Sequence, residues 1–529
     1  MLKYTNPIIP GFYPDPSICR VGEAFYLVTS TFEWFPSVPV FHSKDLVNWT
    51  QLGHCLTRKS QLNLDGAKSS GGIYAPTIRH HNGRFYMVTT DTTGIRNFIV
   101  HTDDPAGPWS EPIKVAQGGI DPSLFFDDDG KVYFTANALW CEGLERGLHL
   151  WEINVDTGEV VDDEPVFLWS GTGGKYPEAP HIYKRSGWYY LIIAEGGTEF
   201  GHMISVARSR SPKGPYESCP NNPILSHRCS ANPIQSTGHG DLFEDSQGNW
   251  WVVFLGVRHC SYPLVHHLGR ETYLAPVSWS DDGWPVINDG KLVDLEMNVE
   301  RDLPLSEKTL VPVRDDFDTN TLALTWNFRR NPVEESWSLS ERPGWLRLAC
   351  LPGSLNGIGG TALLARRLQH FYARIETAIE FFPEDDYAEA GLTAIMNERH
   401  HCEAALTRRH GKKVIIMRKR CASMVTENVV EWNCKGVICL KIQAEEDLLS
   451  FFAVGEDGES VDLGQMETRL LSTEMAGGFT GLYVGVYATS NGEPSQNAAY
   501  FDWFDYEPEN HRREWDRSLE PVTKKPEDN

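Results

Sequence analysis

Three acidic residues occupy the same place in successive units of the sequence. Asp15 lies in FYPDPSI, Asp121 in GGIDPSLF and Glu178 in KYPEAPHIY, and each stands 11 or 12 residues before an aromatic residue in a run of strand-forming side chains. A single Asp-Pro-Ser is usually a turn whose side chains bond nearby backbone groups. Turn formation does not require three acids in register. Clustered carboxylates repel one another and lose hydration, so a fold retains them mainly for chemistry or for a metal.

Paired carboxylates can hydrolyse a glycosidic bond. A protonated carboxyl donates its proton to the leaving oxygen, and an ionised one activates water or attacks the sugar directly. A third acid nearby can raise the pKa of the proton donor by like-charge repulsion and fix its orientation. The three acids therefore predict acid–base chemistry on a sugar, provided that the fold brings them together.

The aromatic runs that follow the acids belong to a repeat. A glycine followed by paired aromatic or β-branched residues occurs five times, with spacings of 60, 47, 57 and 61 residues measured at Tyr26, Tyr86, Tyr133, Tyr190 and Trp251. Turn signals such as HNG and DDDG precede the runs, so each reads as part of a hairpin. No long stretch keeps the 3.6-residue apolar period of a helix. Four-stranded units of about 50 to 60 residues predict an all-β fold with a five-bladed β-propeller, which we assign to residues 1–297.

A propeller would bring the acids together. The innermost strand of each blade lines the central channel, so equivalent positions on five blades converge at one end of it. Pro76 and Asp241 hold the corresponding positions in the two remaining units. We therefore expect Asp15, Asp121 and Glu178 around one pocket.

Composition excludes several classes of partner. The chain has 529 residues, with 48 Lys and Arg against 72 Asp and Glu, which gives a net charge of −24. Nucleic acid and anionic membranes are excluded as main partners because both need a basic face. No segment reaches the roughly 18 apolar residues of a membrane helix. The start lacks the apolar core of a signal peptide, and the 11 cysteines form no CxxC pair, so we expect reduced thiols in a cytoplasmic protein.

A second domain follows the propeller. A charged, proline-bearing connector at 298–316 leads to many short alternating strands, among them ARIETAIEFF, KVIIMRK and GLYVGVYA. Such strands separated by glycine and acidic turns predict a β-sandwich of the concanavalin-like jelly-roll type over 317–508. The last residues, 509–529, are charged and poor in apolar side chains, which predicts a peripheral tail.

Seven phrases of this sequence resemble the motifs of family 43 glycoside hydrolases, of the β-xylosidase type with a C-terminal β-sandwich. In order they are FYPDPSI, GGIYAPTIR, GGIDPSLFFDDDG, KYPEAPHIYK, AEGGTEFGH, STGHGDL and LGRETY. The resemblance covers nearly the whole chain. It implies that Asp15 is the general base, Glu178 the general acid, and Asp121 the residue that tunes and orients this acid. It also implies inversion at the anomeric carbon by direct attack of water.

The resemblance further implies residues that bind the sugar. Phe32 would form an apolar wall, Arg270 would form hydrogen bonds with sugar hydroxyls, and Thr198 would contact substrate. The structural alternatives are a core aromatic for Phe32, a surface ion pair for Arg270 and a simple turn for Thr198. Tyr74 stands where many relatives have Trp. Tyrosine can still stack on the sugar, but it shortens the apolar wall. His239 would hold a structural or activating divalent cation such as Ca²⁺ through water. No cofactor is expected for the chemistry, and the sequence has no HExxH zinc motif.

Together these features predict an exo-acting 1,4-β-xylosidase that releases xylose from the non-reducing ends of xylo-oligosaccharides. The nearest alternative is an α-L-arabinofuranosidase, or an enzyme with both activities on arabinosyl-substituted oligosaccharides, because the two sugars present similar hydroxyls. A sugar-binding propeller without catalysis is a remote alternative, since binding alone needs neither a proton donor nor a base. The resemblance favours a sandwich that covers the pocket over one that binds polysaccharide. Homo-oligomer formation is left open.

Overall fold

The computed structural model of the protein describes residues 2–161, 164–301, 303, 305–306, 311–432, 436–456 and 458–509. Within these ranges the regular structure is almost entirely β. The one described α-helix is the four-residue Thr473–Ala476, and three short 3₁₀ turns lie at Asn288–Gly290, Glu334–Ser336 and Thr468–Leu471.

Five antiparallel four-stranded sheets form the blades of a propeller. The first blade contains Ser17–Val21, Ala24–Val28, Ser37–Ser43 and Thr50–Leu56. The second contains Thr77–His81, Arg84–Asp91, Arg96–Thr102 and Ile113–Lys114. The third contains Ser123–Phe126, Val132–Asn137, Leu148–Glu152 and Val166–Trp169. The fourth contains Glu178–Arg185, Trp188–Glu195, Met203–Ser209 and Glu217–Ser218, and the fifth contains Ile234–Glu244, Trp250–Arg258, Glu271–Trp279 and Pro285–Ile287.

The repeated aromatic run is the second strand of every blade. Its side chains are mostly buried, and Trp251 and Tyr190 are among the largest buried groups in the propeller. The first strands of the five blades contact one another in ring order around the central axis. Because each first strand begins at the same end of this ring, the residues just before the strands converge there.

A short sheet lies where the propeller meets its own start. Leu2–Thr5 pairs with Glu296–Val299 in antiparallel register. The predicted connector 298–316 therefore begins inside a strand, and Arg314–Asp315 near its end already pairs with the C-terminal strand Ala498–Pro508. Residues 302, 304 and 307–310 of the connector, and 510–529 of the predicted tail, lie outside the described residues.

Two antiparallel sheets pack face to face as the β-sandwich. In spatial order, the first sheet contains Trp337–Ser338, Leu346–Ala349, Ala498–Pro508, Ala373–Glu380, Ile438–Ala444, Leu448–Val454 and Ser460–Glu467. The second contains Met424–Glu431, Lys412–Cys421, His400–Arg409, Glu389–Asn397, Tyr483–Thr489, Ala362–Arg367 and Asn327–Arg329. Apolar side chains of both inner faces form one continuous core.

The propeller supplies the last strand of the second sandwich sheet. Trp34–Phe35, from the first blade, pairs with Asn327–Arg329. The Trp34 ring also stacks on Tyr483 with the two ring planes 9° apart. Burial of a side chain of this size contributes about 2–3 kcal/mol, so the two domains are joined by a packed apolar contact as well as by backbone hydrogen bonds.

The described ranges contain ten cysteines, and no two of these ten form a disulfide with each other. Cys434 lies outside those ranges. No helix in the described ranges is long and apolar enough to span a membrane. The cellular location stays a prediction.

Candidate active site

The predicted acids and sugar-binding residues line one pocket at the end of the propeller channel. The pocket contains about 420 Å³ of space, including its open mouth. Its walls are formed by Asp15, Phe32, Tyr74, Ala75, Ile120, Asp121, Glu178, Thr198, His202, His239, Arg270 and Phe479. All eight site residues predicted from the sequence are among them.

The backbone aims each acid toward the channel axis. Asp15 and Asp121 each stand two residues before the first strand of a blade, with φ of 55° and 54°. Aspartate is among the few residues with a Cβ that adopt this left-handed conformation readily. Glu178 is the first residue of its strand, where the register shifts, and Ala179 next to it has φ of 53°. A left-handed residue therefore lies at Asp15 and Asp121 and directly after Glu178, and all three acids line the pocket.

Asp15 is buried and held by two hydrogen-bond donors. Arg270 donates from Nη1 to Oδ1 at 2.7 Å, and the Ser30 hydroxyl donates to Oδ2 at 2.5 Å. The His239 Nδ1 atom lies 3.8 Å from Oδ1. These contacts fix the orientation of the carboxylate.

Burial and neighbouring carboxylates raise the pKa of both Glu178 and Asp121. Burial raises the pKa of Glu178 to about 7, with a further increase from the Asp15 charge and a partial offset from Arg270. Burial, followed by the charges of Glu178 and Asp15, raises the pKa of Asp121 well above its usual range. The backbone N–H of Ala179 donates to Asp121, which links this acid to the residue beside Glu178. Near neutral pH the pocket therefore retains a proton for Glu178 to donate.

Arg270 connects the acids to the sugar-binding walls. Besides Asp15, it contacts the Thr198 hydroxyl, 3.4 Å from Nη1, and the carbonyl oxygen of Phe479, 3.3 Å from Nη2. Its Nε is buried without a hydrogen-bond partner among the described residues. Arg270 is therefore a buried residue of the pocket and not a surface ion pair.

Three aromatic rings form the apolar wall. Phe32 and Tyr74 have ring centroids 5.1 Å apart, and Phe32 stacks on Phe479 at 5.9 Å. Phe32 is buried, whereas Phe479 remains 38% exposed at the mouth. An apolar wall of this kind can receive the hydrophobic face of a pyranose or furanose ring.

Phe479 is one of four pocket residues that were not predicted from the sequence, with Ala75, Ile120 and His202. It belongs to the sandwich domain and lies about 200 residues beyond the other lining residues. Its backbone N–H donates to the Ser70 hydroxyl at 2.8 Å. At Gly478, with φ of 86°, a Cβ would lie 2.4 Å from that same hydroxyl, so glycine permits the close approach. A glycine pair before an aromatic residue is too common a pattern to have predicted this contact.

Two histidines line the base of the pocket. Burial lowers the pKa of His239 and lowers that of His202 to about 3, so both rings are neutral near pH 7. His202, the last residue of AEGGTEFGH, lines the pocket beside the predicted residues, although the sequence does not predict it as a site residue. A Cβ at Gly238 would lie 2.4 Å from Cε1 of His202, so the glycine of GHGD admits this ring.

His239 by itself does not form a calcium site. Ca²⁺ takes six to eight oxygen ligands, and the carboxylate nearest to His239 is that of Asp15, which already bonds Arg270 and Ser30. Among the described residues, no set of three His, Cys, Asp or Glu ligands includes His239. A cation bound through water there stays a prediction, and no chemical step is derived from it.

A buried network under the pocket ties the five blades together. The Arg79 guanidinium donates to Asp241 from Nη1 at 2.8 Å and Nη2 at 3.2 Å, and the Ser17 hydroxyl donates to Asp241 at 2.6 Å. Although burial opposes ionisation, the Arg79 charge holds the pKa of Asp241 well below its usual range. His181 Nδ1 lies 3.1 Å from Arg79 and 2.9 Å from the Ser123 hydroxyl. This network fixes the relative positions of the strands that carry the acids.

Comparison with known proteins agrees with this architecture. The family model "Glycosyl hydrolases family 43" matches residues 4–285, and the model "Beta xylosidase C-terminal Concanavalin A-like domain" matches residues 314–507. The chain belongs to glycosyl hydrolase family 43. The predicted family and the predicted five-bladed propeller with a concanavalin-like sandwich are thereby confirmed. Hydrolases of this family need no cofactor for catalysis.

Individual family 43 proteins are similar over nearly their full length. A non-reducing end alpha-L-arabinofuranosidase of Bacteroides ovatus is 42% identical, over 95% of this chain and 94% of its own. A xylosidase/arabinosidase of Butyrivibrio fibrisolvens is 38% identical, over 96% of this chain and 100% of its own. The crystal structure of a xylan beta-1,4-xylosidase of Bacillus halodurans superposes with a TM-score of 0.90 at 34% identity, covering 95% of this chain and 100% of that one.

Proposed function

We propose that this family 43 protein is an exo-acting 1,4-β-xylosidase that releases xylose from the non-reducing ends of xylo-oligosaccharides by inverting hydrolysis. The observation that carries the proposal is one pocket that contains Asp15, Asp121 and Glu178 and whose wall includes Phe479 of the second domain. A pocket walled by two domains favours a chain end over the middle of a polymer. The names of two relatives, a xylosidase/arabinosidase and a xylan beta-1,4-xylosidase, support xylosides as substrates.

Glu178 is proposed as the general acid. Its pKa of about 7 keeps it protonated in slightly acidic solution. It gives this proton to the glycosidic oxygen while the bond from that oxygen to the anomeric carbon breaks, so the shortened oligosaccharide leaves as an alcohol. Asp121 is proposed to tune and position it, because the two buried carboxyls resist ionising together and the Ala179 N–H donates to Asp121.

Asp15 is proposed as the general base. A water molecule attacks the anomeric carbon from the face opposite the leaving oxygen and transfers its proton to Asp15. Because the attack is direct, the configuration at that carbon inverts. The hydrogen bonds from Arg270 and Ser30 hold the carboxylate in one orientation for this step.

A second activity, on α-L-arabinofuranosides, is favoured by a specific observation. The Bacteroides ovatus relative, 42% identical to this chain, is named as an arabinofuranosidase. Arabinosyl-substituted oligosaccharides are therefore the second proposed substrate class.

Initial rates on five substrates test both activities: an aryl β-xyloside, an aryl α-L-arabinofuranoside, xylobiose, xylotriose and polymeric xylan. We expect rapid cleavage of the short xylosides, slow cleavage of xylan, and xylose as the earliest product. Mid-sized oligomers released early from xylan would contradict exo action. By NMR, α-xylose should be the first anomer seen from a β-xyloside, and β-xylose seen first would mean a retaining mechanism.

A further inference from the structure

Two histidines and a glutamate meet where the propeller contacts the sandwich, outside the residues that line the pocket. His259 and His266 lie on the loop between the second and third strands of the fifth blade, and Glu474 lies in the short helix Thr473–Ala476. One ligand atom from each of the three residues lies within 4.8 Å of the other two. In the described ranges, no other group of His, Cys, Asp and Glu side chains meets this distance.

The Glu474 carboxylate is oriented by the loop that it faces. Its Oε2 accepts a hydrogen bond from the backbone N–H of His266 at 2.9 Å. Its Oε1 lies 2.7 Å from His266 Nδ1 and 3.8 Å from His259 Nε2. The N–H of Thr473 donates to the carbonyl of His266 at 3.0 Å, which fixes the helix against the loop. Oε1 therefore lies between two imidazoles, and a cation bound there would replace the proton shared by Oε1 and His266 Nδ1 and widen that contact.

Among the described residues, no hydrogen-bond partner holds Nδ1 of the His259 side chain. The side chain is 5% exposed, and Nδ1 is buried. The ring is held instead by stacking on Phe200, with centroids 5.0 Å apart. The 3.8 Å from Nε2 to Glu474 exceeds a hydrogen bond. It is close to the spacing of about 3.4 Å between ligands that bind one ion tetrahedrally at about 2.1 Å.

We propose that His259, His266 and Glu474 bind a divalent transition-metal cation of the Zn²⁺ type, with water completing its coordination. Two imidazoles and one carboxylate suit Zn²⁺, Co²⁺ or Ni²⁺, whereas Ca²⁺ and Mg²⁺ prefer an all-oxygen shell. The Glu474 side chain is 31% exposed, so a hydrated cation can reach it from solvent.

The bound cation would join two segments that carry pocket residues and would lie beside a third. The histidine loop continues to Arg270, and Glu474 is followed by Phe479. Phe200, which stacks on His259, follows Thr198 by two residues. Metal binding is thus expected to stabilise the contact between the domains beside the pocket, without entering the chemistry.

Metal titration of the full chain tests the site without any substrate. After treatment with a chelator, Zn²⁺ affinity is measured by competition with a chromophoric chelator, and Co²⁺ binding by its visible absorption. His259→Phe keeps a ring against Phe200 but removes a ligand, and Glu474→Gln keeps the shape but removes the charge. We expect each substitution to weaken binding at this site by about 100-fold or more. His410→Asn, at an exposed histidine elsewhere on the sandwich, should leave binding unchanged.

Two results would overturn the proposal. The first is a wild-type chain that binds neither ion, because the trio would then be only a hydrogen-bonded contact between domains. The second is equal affinity and stoichiometry in wild type and both variants, which would assign the cation elsewhere, for instance near His239. Circular dichroism establishes that each variant is folded, and Glu474→Gln alone decides the matter if His259→Phe does not fold. Loss or retention of xyloside hydrolysis has no bearing on these outcomes.

Discussion

Arg270 donates a 2.7 Å hydrogen bond from Nη1 to Oδ1 of Asp15, deep in the pocket. The other terminal nitrogen of the same guanidinium reaches the carbonyl of Phe479 in the second domain. One cation therefore orients the proposed base and holds the loop that supplies part of the pocket wall. Truncation of Arg270 should therefore disturb both the orientation of Asp15 and the position of the Phe479 loop.

Arg270→Gln should lower kcat/KM on xylobiose by about 100-fold or more, because a buried charge-assisted hydrogen bond to the base is lost. Arg270 also lowers the pKa of Glu178, so its removal should move the alkaline limb of the pH–rate profile to higher pH. The pH profile of initial rates checks both effects. Arg84→Gln, at an arginine paired with Asp103 on the surface, is the matched control and should change neither. An alkaline limb that stays in place would contradict the electrostatic role.

Phe479→Ala should raise KM for xylobiose and lower kcat/KM by about 10-fold, because the substrate loses one aromatic contact and the pocket widens. Phe382→Ala removes an exposed phenylalanine of the same domain, outside the pocket, and should leave both constants unchanged. Steady-state kinetics on xylobiose decide the matter. Unchanged KM in Phe479→Ala would show that the sandwich does not contribute to binding.

The sequence predicted the acids because their signal is local and repeated. Asp15, Asp121 and Glu178 each stand 11 or 12 residues before an aromatic residue in the second strand of a blade, and the propeller converts this shared register into spatial proximity. The aromatic runs predicted the blades because each buried second strand combines strand-forming side chains with a turn before it.

The contacts between distant segments could not be predicted in this way. The pairing of Trp34–Phe35 with a sandwich strand, and the arrival of Phe479 at the pocket, depend on how two domains pack. Such contacts need only complementary shape and a few backbone hydrogen bonds, which leave no repeated pattern. His202 combines both kinds of signal. It ends AEGGTEFGH, which resembles a family motif, but its ring can enter the pocket only because Gly238 has no side chain.

Gly238→Ala should destabilise the protein by about 1–3 kcal/mol and reduce activity, because the added methyl group would meet the His202 ring at 2.4 Å. Gly359→Ala is the matched control, since a Cβ at Gly359 meets nothing within 4 Å. Thermal unfolding of the two variants measures the difference. Equal stability of both would mean that His202 can move aside freely.

Glu178→Gln should stabilise the fold more at alkaline than at acidic pH. The folded pKa is about 7 and the ordinary value is 4.5. As pH rises between these values, the unfolded chain releases this proton while the folded chain keeps it, so stability falls. The amide does not titrate, and its advantage in unfolding free energy should grow by about 1–3 kcal/mol from about pH 4.5 to about pH 8. Denaturant unfolding at both pH values measures it, and Glu199→Gln, at an exposed glutamate, should show no such growth.

The two proposed catalytic carboxylates can be distinguished by the leaving group. A nitrophenolate leaves without a proton, whereas a sugar alkoxide does not. Glu178→Gln should therefore impair xylobiose hydrolysis far more than hydrolysis of a nitrophenyl xyloside. Asp15→Asn removes the base that activates water, which both substrates need, so both rates should fall by similar factors on the order of 100-fold or more.

The ratio of the two rates in each variant is the decisive measurement. Because Asp15 and Glu178 line the same pocket, a general loss of structure would lower both rates equally in both variants. A selective loss on xylobiose in Glu178→Gln alone can arise only if that residue supplies the proton. If Asp15→Asn instead spares the nitrophenyl xyloside while Glu178→Gln does not, the roles of acid and base are reversed.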